Sequence, residues 1–320
     1  MGNAETTRAR RALAMVCAAA ALTTTCARTA TIDASAPIEA PTGQTTAGPG
    51  RGTPASPLRP WSATATPAAP QPVALSAPVA GSPYALRLVG FRPAPPREAA
   101  PNEAAPPIVV ILPGSEGLSW DYVNLAGRLA ERGAIAVAGC WFREAQISAS
   151  TIPCPAAPAF IGANKAAIPA VEALVTAAQS LAARSQSPTA GRTGEPPVYL
   201  LGHSRGATMA LHVAASHTLD TLGGVVASSA ITTYSPGFAG MFDDMPIIDA
   251  ATVGVPVLLI HPQDDSLVAW SQSAAEARAL PDKLVHTWFP ATGEHMVLST
   301  RAADFVAQTL QFIEAVQPSS

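Results

Sequence analysis

Charge is scarce in this chain. Only 13% of its 320 residues are Asp, Glu, Lys or Arg, and the net charge is −3. No basic field of the kind that nucleic-acid binding needs is present. Aromatic residues are few, at 5%, which by itself excludes no function. The apolar stretch near the N-terminus, 12–22, falls short of the roughly 20 residues that a membrane-spanning helix needs. CxxC and HExxH constellations are missing, so neither a metal nor an organic cofactor is expected. No internal repeat is evident. Apolar residues, by contrast, make up 48%, enough for a sizeable core in one large domain or two ordinary ones.

The first residues have the form of an export signal. Arg8, Arg10 and Arg11 precede the short apolar stretch, and Thr23-Thr24-Thr25-Cys26-Ala27 supplies small residues for processing. Two endings fit: cleavage after Ala27, or Cys26 as the lipid-bearing first residue of a lipoprotein attached to a membrane. A lipobox usually has Leu three places before the Cys; here that place holds Thr23, and Leu22 is one position early. The next stretch, 28–80, contains "PTGQTTAGPGRGTPASPLRP" and "ATPAAPQP". Such a composition cannot bury enough surface to offset ordering entropy, and it reads as a disordered, partly polyproline-like tether. The expected layout is a signal over 1–27, a tether over 28–80 and a folded domain over 81–320. The expected location is outside the cytoplasm, as an envelope lipoprotein or a secreted protein. In such an oxidising compartment Cys140 and Cys154 are expected to form a disulfide.

From residue 82 onward the texture changes. Apolar runs of strand length occupy 84–89, 108–112, 134–138, 198–201, 224–227, 255–260 and 284–289. Several are apolar at every position, as strands covered on both faces are. Helix-period segments lie between them, at 120–132, 166–183, 205–216, 271–280 and 297–316. This alternation predicts an α/β fold with a mostly parallel sheet flanked by helices. The opening run, 84–89, is expected to be an antiparallel edge strand. In such sheets ligands bind at the carboxyl ends of the strands, so chemistry should sit just after an apolar run.

Gly202-His203-Ser204-Arg205-Gly206 meets that condition. It fits G-x-S-x-G and joins an apolar run to a small-residue helix, the setting of a nucleophile elbow. A side chain at Gly202 or Gly206 would collide with the neighbouring strand or helix. A Ser at its ordinary pKa needs a base. Among the six histidines, His295 alone follows a strand run and precedes a helix in the order Ser…Asp…His. His203, the variable elbow position, is expected to point elsewhere. His212 and His217 read as ordinary helix histidines, while His261 ends a strand and His286 lies within one. The base's partner is one of two adjacent acids, Asp264 and Asp265, which cannot both face it. Donors for an oxyanion are expected from the backbone N–H of Arg205 and from the "PGSEG" loop, at Ser115 or else Glu116.

Taken together, the motifs resemble the α/β-hydrolase superfamily over about 82–316, within it the dienelactone hydrolase-like branch and the acyl-CoA thioesterase catalytic domains. "ILPGSEG" is similar to the oxyanion loop, "LGHSRGA" to the elbow, "VLLIHPQDDSLV" to the I-H-G-x-x-D-x-x-V acid segment and "GEH" to the catalytic histidine. The resemblance implies Asp265 as the acid, with Val268 three residues on; Pro262 stands where the family usually has Gly. The HGGG loop of many lipases is absent. No large cap domain is expected, only a small lid over 229–254 and a loop over 141–160 overhanging the site. The implied function is a serine hydrolase acting on a small-molecule ester or thioester. A peptidase, an acyltransferase or a non-catalytic binding lipoprotein on the same fold are the alternatives.

Overall fold

A computed structural model describes residues 70–80, 85–93, 105–142, 152, 154, 167–184, 196–231 and 248–317. The expected signal, Cys26 and most of the expected tether lie outside the described residues. So do most of the overhanging loop and the middle of the expected lid.

Eight strands form one sheet. They are β1 (Val73–Pro78), β2 (Ala85–Phe91), β3 (Ile108–Leu112), β4 (Ile135–Gly139), β5 (Val198–His203), β6 (Leu222–Ser228), β7 (Val257–Ile260) and β8 (Val285–Trp288). The helices are α1 (Trp120–Glu131), α2 (Ile168–Ala183), α3 (Arg205–Ser216), α4 (Ser271–Ala279), α5 (Val297–Thr300) and α6 (Ala302–Val316). Strand order is β1-β2-β4-β3-β5-β6-β7-β8. β1 and β2 are antiparallel to their neighbours, and the others pair in parallel.

The core follows from the apolar runs. Every residue of β3, β4 and β5 is buried, because helices cover both faces of the sheet. α1 contributes Tyr122, Val123, Leu125, Ala126, Leu129 and Ala130, the i, i+3, i+4 stripe of an amphipathic helix. Fully burying each Val, Leu or Ile is worth about 1.5–3 kcal/mol, so the central strands anchor the molecule. Among the described residues there is no large inserted cap, and no helix is long and apolar enough to cross a membrane.

Three expectations need correction. Val73–Pro78 is not tether: it pairs with β2 from Val73↔Gly90 to Pro78↔Ala85. Its Pro78 sits at the strand's end on the sheet edge, where a missing N–H costs nothing. β2 is consequently not the edge strand; β1 is. The segment expected as one final helix divides at Arg301, whose φ of −129° and ψ of 42° interrupt the helix between α5 and α6.

Candidate active site

Ser204 sits between β5 and α3 with φ 52° and ψ −119°, a conformation a non-Gly residue adopts at a cost of about 1–3 kcal/mol. The surroundings leave it no choice. Its N–H donates to Ser228 O at 2.8 Å, and its carbonyl accepts from Ala207 N at 3.0 Å and Thr208 N at 3.2 Å. The two elbow glycines are sterically required. A Cβ at Gly202 would lie 2.2 Å from Gly206 O, and one at Gly206 would lie 2.0 Å from Leu112 O. The start of α3 is thus pressed onto the end of β3, where the oxyanion loop begins. A Cβ on Gly114 in that loop would lie 3.1 Å from the Cβ of Ser204, so the loop passes close to Ser204.

His295 follows β8 and donates from Nδ1 to Asp265 Oδ2 at 2.8 Å. That bond fixes the tautomer, leaving Nε2 as the basic nitrogen. Asp265 Oδ1 accepts from Leu267 N and Val268 N, both at 2.9 Å. His261 Nε2 lies 3.3 Å from Asp265 Oδ2. Burial alone would raise the Asp265 pKa, but the hydrogen bonds from His261, His295 and the Val268 N–H, with the charge of His295, hold it well below the usual carboxylate range. For His295 burial wins, and its pKa lies below the ordinary histidine value despite Asp265. A base that is neutral at neutral pH, beside an ionised acid, is the arrangement proton abstraction from Ser204 needs.

The neighbouring acid has its own task. Asp264 accepts from Glu294 N at 2.9 Å and Gly293 N at 3.3 Å, clamping the turn that presents His295. His261, which sequence alone left as a strand-end residue, is fully buried. Its Nε2 donates to Val268 O at 2.9 Å, and its Nδ1 lies 2.7 Å from Ser273 Oγ. It thereby backs the acid.

His203 does not point elsewhere as expected. It is buried, with Nε2 3.0 Å from the backbone oxygen of His295 and Nδ1 2.8 Å from Tyr122 Oη. Tyr122 in turn accepts from Gly114 N at 3.0 Å and donates to Glu116 Oε1. Glu116 Oε1 is 3.4 Å from His203 Nδ1. Burial would raise the Glu116 pKa, and the hydrogen bonds from His203 and Tyr122 outweigh it, lowering the net value. Burial, then the Glu116 charge, keep the Tyr122 phenol protonated well beyond its usual range. His212 and His217 are placed in α3 and at its C-cap. His286 packs edge-on against Phe312, with ring centroids 5.3 Å apart.

In the loop after β3, Gly114 N–H donates to Tyr122 Oη and Gly117 N–H closes a turn on Gly114 O at 2.9 Å. Ser115 stands between them, and Arg205 is the first residue of α3. The Arg205 side chain is buried, its guanidinium 4.4 Å from the Phe142 ring centre and 5.3 Å from that of Trp141. Trp141 Nε1 donates to Pro113 O at 2.9 Å. The residues after β4 therefore flank the elbow. Cys140 and Cys154 form a disulfide with Cα atoms 5.5 Å apart, and Ile152 N donates to Leu118 O at 2.6 Å. Among the described residues, no group of three or more His, Cys, Asp or Glu is placed to hold a metal ion.

A sheet of this order, with a strained Ser after β5, an acid after β7 and a His after β8, is the α/β-hydrolase fold. No protein-family model matches the chain, and no curated protein matches it. Solved structures do. An acylaminoacyl peptidase of Pyrococcus horikoshii superposes with a TM-score of 0.55 at 16% identity, covering 79% of this chain and 42% of that one. A Klebsiella pneumoniae protein described as a candidate dienelactone hydrolase gives a TM-score of 0.52 at 16% identity, covering 77% of this chain and 98% of its own. An esterase of Pyrococcus furiosus gives 0.53 at 13% identity, covering 78% and 92%. The chain thus spans the full fold of the shorter proteins and less than half the length of the peptidase.

Proposed function

We propose that this chain is an exported serine hydrolase that cleaves a carboxylic ester or thioester through an acyl-enzyme. The observation that carries the reading is the Asp265–His295 hydrogen bond, formed at the same end of the sheet as a Ser held at positive φ. Ser204 Oγ attacks the carbonyl carbon while His295 Nε2 takes its proton. Asp265 holds the imidazole in register and balances its charge. The amides of Arg205 and Ser115 stabilise the oxyanion. Collapse expels the alcohol or thiol, which leaves with the proton from His295. Water, activated by the same imidazole, then releases the acid and restores Ser204.

Export rests on the Arg8–Arg10–Arg11 signal pattern, with Cys26 as the candidate lipid attachment, and the Cys140–Cys154 bridge fits an oxidising compartment. The test is hydrolysis of p-nitrophenyl esters of increasing chain length by the full chain purified from an oxidising compartment, beside Ser204→Ala. Turnover abolished by the substitution supports the reading. Equal, background-level turnover in both proteins sinks it for esters and moves attention to peptide substrates, to acyl transfer or to a binding role.

A further inference from the structure

Buried His203 and Tyr122, with the half-exposed Glu116, take no part in the proton transfers proposed above, yet they link the loop after β3, the elbow and the His295 loop. One end, Tyr122 Oη, holds Gly114 N–H in the oxyanion loop. The other end, His203 Nε2, holds the backbone carbonyl of His295. The middle, His203, is the residue before the nucleophile, and its ring lies 4.8 Å from that of His295, centre to centre. Partners 81 residues before it and 92 residues after it meet on the imidazole of His203.

The proton count makes the cluster a unit. A carbonyl only accepts, so His203 Nε2 carries a proton. Tyr122 Oη accepts from Gly114 N–H and has one proton of its own to give. Two acceptors compete for that proton, Glu116 Oε1 and His203 Nδ1, so filling both contacts takes one further proton, held on either the imidazole or the carboxyl group. Removing one member strands the others, and a buried polar group left without its partner is costly.

We infer that His203, Tyr122 and Glu116 are positioning residues: a hydrogen-bonded strut that sets the spacing between the oxyanion loop, Ser204 and the His295 loop. Acyl transfer is sensitive to that spacing, since a displacement of about 1 Å at the reacting atoms can cost roughly 100-fold in rate. The inference rests on the hydrolase reading for what is being positioned, and on geometry alone for the strut.

Three variants of the full chain test it. Tyr122→Phe keeps the ring and deletes the hydroxyl. Glu116→Ala removes the acceptor at a side chain that is itself 38% exposed, and Glu116→Gln keeps an acceptor oxygen. With p-nitrophenyl acetate, Tyr122→Phe and Glu116→Ala should lose about 10- to 100-fold in kcat with KM within about threefold, and Glu116→Gln should recover most of the loss. A second readout needs no turnover: the hydrogen-bonded Nδ1 proton of His295, followed by NMR, should move or exchange away in the first two variants and return in Glu116→Gln. Wild-type kcat in Tyr122→Phe, a loss carried by KM, or Glu116→Gln indistinguishable from Glu116→Ala overturns the strut. If the wild type shows no turnover beyond Ser204→Ala, the hydrolase reading fails while the NMR comparison decides the strut: an unmoved His295 resonance in both damaging variants overturns it.

Discussion

Replacing Asp265 with Asn changes one oxygen to an amide nitrogen, and the structure dictates which one. Oδ1 accepts from two backbone N–H groups at 2.9 Å, and only an oxygen can do that, so the new NH2 must take the place of Oδ2. There it meets two nitrogens. His261 Nε2 keeps its proton, because it donates to Val268 O. His295 Nδ1 must then accept from the amide rather than donate, which moves the His295 proton to Nε2 and leaves no lone pair for the hydroxyl of Ser204. The expected loss in kcat is ~10³- to 10⁴-fold, the scale known for tautomer inversion in a serine protease triad. KM should be nearly unchanged, because Asp265 is buried and out of reach of a substrate. The assay is steady-state hydrolysis of a p-nitrophenyl ester, with active-site titration to count competent protein. Asp264→Asn is the matched control. The amide oxygen can keep the bond from Glu294 N at 2.9 Å, while the NH2 replaces the oxygen that accepts from Gly293 N at 3.3 Å; losing that longer bond at an exposed side chain should cost about 1 kcal/mol, under about tenfold. If Asp265→Asn retains more than a tenth of wild-type kcat, or if Asp264→Asn is the worse of the two, the assignment of the acid is wrong.

Three other outcomes are expected. Because burial lowers the His295 pKa, the base stays neutral to lower pH than a free imidazole, so the acid limb of kcat/KM should lie below roughly 6.5; a limb at or above that value contradicts the burial argument. Cys140 and Cys154 are separated by 14 positions, and replacing both with Ser should cost about 3 kcal/mol, roughly 6–12 °C in Tm. An unchanged melting curve would show that the bridge does not constrain the chain. Gly206→Ala would put a methyl group 2.0 Å from the carbonyl oxygen of Leu112, a backbone atom that cannot yield, so loss beyond the ordinary overpacking cost of about 1–3 kcal/mol is expected in thermal unfolding. Near-wild-type stability and activity would mean that the elbow is looser than drawn.

What sequence could reveal depended on whether a constraint was local. β3 and β5 are apolar at nearly every position because helices cover both their faces, and such runs stand out. β1 did not, since it covers an edge: only Ala77 of "VALSAP" is buried, and its composition matches the Pro- and Ala-rich stretch before it. The break at Arg301 has no Gly or Pro to announce it. There Arg301 bonds Asp304 three residues on and lies 5.3 Å over the Trp288 ring, the latter a contact made by tertiary position. Ser204 and His295 were picked out by chain order after strand runs, and the family resemblance favoured Asp265 over Asp264; it is Asp265 that meets His295. His203 was not legible, because its partner is a backbone carbonyl 92 residues away and a carbonyl leaves no trace in a sequence.

The strained residues show why these distant pieces agree. Non-Gly residues at positive φ among those described are Ser204, His217, Ser229 and Glu294. His217 is the C-cap of α3, an ordinary place for that conformation. The other three lie after β5, after β6 and in the loop after β8, at the end of the sheet where the candidate chemistry sits. Each is held by a bond reaching the next segment: Ser204 N to Ser228 O and Ser229 N to Ile260 O, both at 2.8 Å, and Glu294 N to Asp264 Oδ1 at 2.9 Å. His261 N to Trp288 O, at 3.1 Å, joins the last pair of strands. The strand ends are therefore stitched in series from nucleophile to base, and each strained residue is fixed by a neighbour that is itself fixed. Local preference is overruled where the next strand supplies the compensation. A stitched edge also limits what can move. Ser204, Asp265 and His295 follow strands whose ends are bonded in series, and the loop after β3 meets that series through the β3–β5 ladder ending at Leu112↔Gly202, through Gly206 packed against Leu112 and through the His203–Tyr122 contact. That is the joint where loosening should cost rate before it costs stability.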